Sequence, residues 1–350
     1  MKTTARGAIL VTALALVAAS LAGCSTDTAS TSSSSSSGSA APTLTYDGVE
    51  AGLPTSYGAP TGLPANFTVG YQNIYSAIPS LQAGEAASKA EVEKMGGTFI
   101  SKDDQLDVTT QVNNCNTFIA QHVNAILIYP LDPSSLTPCF AEAAAAGIIV
   151  IPQNAPVAAD QPLIAGLPTD IIQGFDYDAF LRAQAVAQAD PGSSYAVIGL
   201  AAPVAGLTYF AKQQQYWADK FGLTFLGEID AQTDNAAGAA TATTSLLAKY
   251  PTVKTIFAYN DNTGLAAAST VRGTGQTGIR IVASDGQPDA IAGVKSGLLW
   301  GVTEIDFTTI GTNQADAAMT LIANPKATLP TFVTTPAKFI TMDNVDSAGF

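Results

Sequence analysis

Histidine is almost missing from this chain of 350 residues; His122 is the only one, and there are three cysteines, Cys24, Cys115 and Cys139. A Ser-His-Asp triad would have to recruit that one imidazole, and no Gly-x-Ser-x-Gly turn exists to expose a serine nucleophile. The His-Glu-x-x-His spacing of metal hydrolases cannot occur either. Catalysis, a bound metal and a cofactor are therefore not expected. Charge is scarce too: Asp, Glu, Lys and Arg make up 12% of the residues, with a net charge of -13. Nucleic acid and bare anionic membrane surfaces repel such a chain, which removes both as direct partners. Long apolar runs are lacking as well. The run from Ala8 to Ala19 falls short of the about 20 residues that a spanning helix needs.

That run follows Lys2 and Arg6 and leads into Leu21-Ala22-Gly23-Cys24, the order of a bacterial secretion signal ending in a lipobox. Residues 1–23 are thus expected to be removed and Cys24 to carry acyl chains that anchor the product to a membrane. Downstream, Ser32 to Ser37 is unbroken serine, and Gly, Ala, Pro and Thr dominate to about Asn66. Such composition cannot offset the entropy of ordering, so residues 24–66 read as a flexible tether.

From Phe67 onward strand-like runs alternate with helical ones, giving an α/β fold with parallel sheets. A first half runs through Phe67–Tyr71, Thr98–Lys102, Ala125–Tyr129 and Ile148–Ile151, and a second through Tyr195–Gly199, Leu223–Glu228, Val253–Tyr259, Ile279–Ser284 and Leu299–Thr303. The remaining length suits two lobes better than one core. Asp132 and Pro133 open a helix that Gly147 closes. Helices from about Val108 and Pro133 lie side by side in a right-handed winding, which brings Cys115 and Cys139 together; in an exported protein they are expected to form a disulfide. Gly273-Thr-Gly275-Gln-Thr-Gly278 matches a dinucleotide fingerprint in letters only. It connects a helix to a strand, the reverse of the order that places phosphate on a helix N-terminus.

Polar residues recur at the carboxyl ends of the strands, where such sheets bind ligands. They include Gln72, Asn73, Asp103, Asp104, Asp132, Asn154, Asn260, Asp261, Asp285, Glu304 and Asp306. Helix capping explains some of them equally well, Asp132, Asp261 and Asp285 in particular. As a set they suit a neutral hydroxylated ligand, with Tyr71, Tyr75, Tyr129, Tyr209, Phe210 and Trp217 as available aromatic faces. No arginine stands at a strand end, which disfavours carboxylates and phosphates.

At Ile128-Tyr-Pro-Leu-Asp132, Asn260-Asp261, Asp285-Gly286-Gln-Pro288 and Ile340-Thr-Met-Asp-Asn344-Val the chain resembles the ribose-type periplasmic binding proteins of ABC sugar transporters. The resemblance implies the type I fold, with two doubly wound lobes joined by a three-crossing hinge near Pro156, Ile305 and Pro336. Residues 67–155 plus 306–335 would form one lobe, and 156–305 plus 336–350 the other. It implies a monomer that closes on one small sugar or polyol and presents it to an ABC permease. Asn260 and Asp285 match positions that bind sugar hydroxyls, Asp132 matches a third, and Tyr75 lies in the first ligand-contacting loop. Near Ala211 and Lys212 the family's arginine is missing, which counts against ribose itself. Glu304 or Asp306 stands near a family glutamine, which would suit a polyol, an amino sugar or another cation. Delivery to a chemoreceptor or sensor kinase, instead of a permease, is the alternative role.

Overall fold

The structure, a computed structural model, describes residues 40–58 and 60–350. The leader, Cys24 and the serine run lie outside the described residues. Strands β1 (Thr68–Asn73), β2 (Thr98–Asp103), β3 (Ala125–Ile128) and β4 (Ile149–Pro152) form a parallel sheet in the order β2-β1-β3-β4. Helices α1 (Pro79–Lys94), α2 (Val108–Ala120) and α3 (Pro133–Ala145) connect them. Every residue of β3 is buried, as a central parallel strand covered on both faces requires. Asp107 and Asp132 accept hydrogen bonds from the amides of Thr110 and Ser134, which sets the starts of α2 and α3. His122 sits exposed in the turn after α2, at φ 51°.

Between α2 and α3 the Cys115–Cys139 disulfide is formed, with Cα atoms 6.4 Å apart. Strand β5 (Asp170–Ile172) continues this side of the molecule through a bridge from Gln153 to Ile171, and pairs in parallel with β11 (Phe332–Thr334).

The second sheet has the order β12-β10-β9-β8-β6-β7. Its parallel strands are β6 (Ser194–Leu200), β7 (Thr224–Ala231), β8 (Thr255–Ala258), β9 (Arg280–Asp285) and β10 (Gly301–Ile305), with β12 (Ala337–Thr341) antiparallel at the edge. Helices α4 (Phe175–Ala189), α5 (Ala205–Lys220), α6 (Ala236–Lys249), α7 (Asp261–Gly273) and α8 (Pro288–Lys295) cover it. The last long helix, α9 (Phe307–Ala323), returns to the first sheet and crosses α1 where Gly84 and Gly311 meet. A Cβ on Gly311 would collide with the Gly84 carbonyl.

From β1 onward the chain passes between the sheets three times, at Gln173–Gly174, Ile305–Asp306 and Thr335–Pro336. The first lies well beyond Pro156, because residues 156–172 stay with the first sheet through β5. Helix α4 escapes the sequence pattern because its buried face carries Asp176, Asp178 and Arg182 among the apolar residues. The extended stretch at Thr331–Thr341 is two strands on different sheets, broken at Pro336.

The expected tether gives way, over residues 40–58 and 60–66, to a strap bound to both sides of the hinge. The Tyr46 ring packs 4.8 Å from Tyr177 and 5.7 Å from Trp217, and its hydroxyl donates to Asp176 at 2.7 Å. Glu50 is 4% exposed and accepts the amides of Asp176 and Tyr177 at the start of α4, where a helix end lacks partners. Further on, the Pro54 carbonyl accepts from the Thr334 amide and the Tyr57 hydroxyl bonds Thr169 at 2.6 Å. A few large side chains in a polar segment thus suffice to hold it, which average composition conceals.

Burial pushes the Glu50 carboxyl up to about 8. A carboxyl raised on folding stabilises the fold while protonated, and that contribution is lost as pH climbs from about 4.5 to 8. The Glu50→Gln variant keeps one of the two acceptors for the α4 amides and cannot lose a proton. Its melting temperature is expected to fall less than wild type between pH 5 and pH 8.5, a difference of at most a few kcal/mol in stability. Equal slopes in a pH series of thermal melts would refute this.

Candidate ligand-binding cleft

The carboxyl ends of β1 and β3 face those of β8 and β9 across a narrow chamber of about 60 Å³, room for about two water molecules. From the first sheet's side it is lined by Tyr75, Ser80, Tyr129 and Gln173, and from the second by Asp234, Tyr259, Asn260 and Asp285. Ser80 and Ile78 also line an adjoining hollow of about 240 Å³ that Asn260, Asp261 and Asp285 share. Across the gap the Ser80 hydroxyl donates to Asp285 at 2.8 Å.

Asn260 divides its amide between two tasks. Its Oδ1 accepts the Thr263 amide and caps α7, while its Nδ2 donates to Asp234 at 3.1 Å. Tyr259 donates its hydroxyl to the same Asp234 oxygen at 2.8 Å. Asp285 ends β9 at φ 105°, a conformation rare for any residue but glycine. Such outliers concentrate where a side chain must be aimed.

Below the chamber, Asp178 accepts the Ser284 hydroxyl at 2.6 Å, and the buried Arg182 donates to the Ala258 and Val282 carbonyls. Burial raises the Asp285 carboxyl well above the usual range; the Asp178 and Asp234 charges push the same way, against the pull of Ser80 and Arg182. Asp261, buried beside it, is raised by burial and by Asp285 in turn. Burial also raises Asp234, and it lowers Arg182 to about 10.

Of the candidate contacts named in the sequence, Tyr75, Tyr129, Asn260 and Asp285 line this chamber. Gln72 is spent beneath the sheet, donating to Asp104 and the Gln111 carbonyl. Asn73 donates to Glu85 and accepts the Tyr75 amide, so it shapes the loop that carries Tyr75. Asn154, at φ 57°, accepts the Gln173 amide at 2.8 Å and stands behind a lining residue.

Asp132 caps α3, and the hydroxyls of Ser135 and Ser134 hold its carboxyl below the usual range. Glu304 turns to the tail, pairing with Lys338 at 3.3 Å and accepting the Gly349 amide. Asp306 caps α9 through the Thr309 amide. For these last three, backbone amides and a lysine satisfy the carboxylates away from the chamber. Asp132→Ala is therefore expected to cost about 1 kcal/mol of stability, the usual worth of a cap, and to leave ligand affinity unchanged. A tenfold loss of affinity in titration calorimetry would return Asp132 to the site.

Ser80, Gln173 and Asp234 were not singled out from the sequence. Asp234 lies beyond the true end of β7, Gln173 follows the unforeseen β5, and Ser80 belongs to the first turn of a helix.

A profile described as periplasmic binding protein domain matches residues 73–326. The chain belongs to this family. A xylitol-binding protein of Mycolicibacterium smegmatis is 30% identical over 250 residues, covering 69% of this chain and 68% of its own. The ribose import binding protein of Bacillus subtilis is 26% identical over 245 residues, 67% of this chain and 75% of that one. Among solved structures, an ABC transporter solute-binding protein of Mycobacterium smegmatis with bound glycerol superposes with a TM-score of 0.71 at 23% identity, over 81% of this chain and 96% of its own. The two parallel-sheet halves of this periplasmic binding protein are the fold of those neighbours.

Proposed function

We propose that this periplasmic binding protein holds a small, uncharged sugar or polyol between its two sheets and hands it to an ABC permease. The protein works as a monomer anchored through a lipid on Cys24. One observation carries the reading: Asn260, Asp234 and Asp285 on one side face Tyr75, Ser80 and Gln173 on the other, so a single small molecule can bond both halves. No basic side chain is among the lining residues, and the carboxyl, amide and hydroxyl groups there can accept from and donate to the hydroxyls of a ligand.

A ligand that replaces Ser80 at Asp285 bonds both halves at once. It shifts the population toward the closed form only by the difference in its affinity for closed and open states. The relatives named for xylitol and ribose support this ligand class; the acidic lining favours the polyol. The test is a thermal-shift panel of xylitol, ribose, arabinose, myo-inositol and glycerol. At least one is expected to raise the melting temperature by several degrees in a saturable manner. Absence of any such shift would contradict the reading.

A further inference from the structure

A second polar chamber lies inside the half built on the larger sheet. It measures about 290 Å³ and sits between α5 and the ends of β6, β7 and β8, against about 60 Å³ for the narrow part of the cleft. Leu200, Leu207 and Tyr259 line both cavities and separate them. Gln214, 2% exposed, leaves both its Oε1 and its Nε2 without a partner, and the 1% exposed Arg182 leaves its Nε free. Both side chains line the chamber. Buried amides and guanidinium groups are seldom left so, because each lost hydrogen bond costs about 1–3 kcal/mol.

We propose that this chamber is an auxiliary binding site for a small uncharged polyol. The charges around it select the class. At the rim, Glu228 and Asp230 fold over Gly199, where any Cβ would strike their carboxylate oxygens, and the exposed Lys212 lines the same chamber, so the entrance carries both signs of charge and favours neither ion. At the floor the Arg182 guanidinium, stacked 4.9 Å from the Phe210 ring centre and 5.0 Å from that of Phe257, repels cations. What remains is a neutral molecule with hydroxyls that both donate and accept, as the free Gln214 amide and Arg182 Nε require. The volume would hold about ten waters or one short-chain polyol with a few waters.

Erythritol is the probe, followed by saturation-transfer NMR on the full protein. In an Asn260→Ala/Asp285→Asn double variant, whose cleft affinity is weakened at two lining residues, erythritol is expected to keep a saturable signal. Adding Gln214→Leu is expected to weaken that binding at least tenfold. Adding Thr208→Trp instead, at an exposed rim position that cannot disturb the core, is expected to do the same by blocking the entrance. A chamber holding only water gives no saturable signal in the double variant, and that overturns the proposal. So does a signal that survives Thr208→Trp. Neither result touches the cleft, whose own test is the melting shift of the wild-type protein.

Discussion

Asp285→Asn is expected to weaken binding of the cleft ligand by one to two orders of magnitude while leaving the empty protein at least as stable. The carboxyl is 6% exposed, and its one bond across the gap is the Ser80 hydroxyl. A hydrogen bond from a ligand hydroxyl to such a group is worth about 1.5–3 kcal/mol, or roughly 10- to 150-fold in affinity. The amide keeps the shape and one acceptor, but it cannot ionise and its second position can only donate.

Without ligand the sign reverses. A carboxyl whose folded pKa is raised supports the fold while protonated, and that support drains away as pH climbs from the ordinary carboxylate range toward the raised value. The amide does not lose it, so near neutral pH the empty variant melts no lower than wild type. Asn260→Ala makes an instructive contrast. It removes the Nδ2 donor in the chamber and the α7 cap together, so affinity and about 1 kcal/mol of stability fall at once. Titration calorimetry and thermal melts of both variants, with whichever sugar or polyol shifts the wild type, separate the two effects. Equal affinity in Asp285→Asn would place the ligand elsewhere.

The other large effect concerns stability alone. Cys115 and Cys139 are buried and close a loop with a sequence separation of 24. On chain entropy, a closure of that length stabilises by about 3.5 kcal/mol. In a body of this size that corresponds to a fall in melting temperature of about 6 °C for the Cys115→Ala/Cys139→Ala variant. Neither residue lines the cleft, so ligand affinity is expected to stay within twofold of wild type. A melting temperature unchanged by the double substitution, or by reduction of the wild type, would show that packing of α2 on α3 suffices without the bond.

The alternation of strands and helices made both sheets legible before any coordinates, because buried parallel strands such as Ala125–Ile128 are unbroken apolar runs between capped helices. What stayed hidden has local causes. Helix α4 buries Asp176, Asp178 and Arg182, so its inward face does not look apolar. The strap of residues 40–58 and 60–66 is held by Tyr46, Glu50 and Tyr57, too few to show against serine, proline and glycine. In the cleft, the rule that ligands gather at strand ends found Asn260 and Asp285, yet it could not distinguish them from Asp132, Glu304 and Asp306. All five are polar residues at such ends; only the third dimension shows which amides or lysines already occupy them. Asp234 was missed for the opposite reason, since β7 runs on to Ala231 and carries the binding edge past the expected strand end.

The most direct measurement is the distance between spin labels at Ala77 and Ser269, exposed residues on opposite rims of the cleft mouth, recorded by pulsed electron resonance with and without each sugar or polyol that raises the melting temperature. Closure on a ligand shared by both halves predicts a shorter and narrower distance distribution in the wild-type protein, and the same change in Asp285→Asn only at ligand concentrations about ten to a hundred times higher. A stabilising ligand that leaves the wild-type distribution unaltered would show that it binds without drawing the halves together.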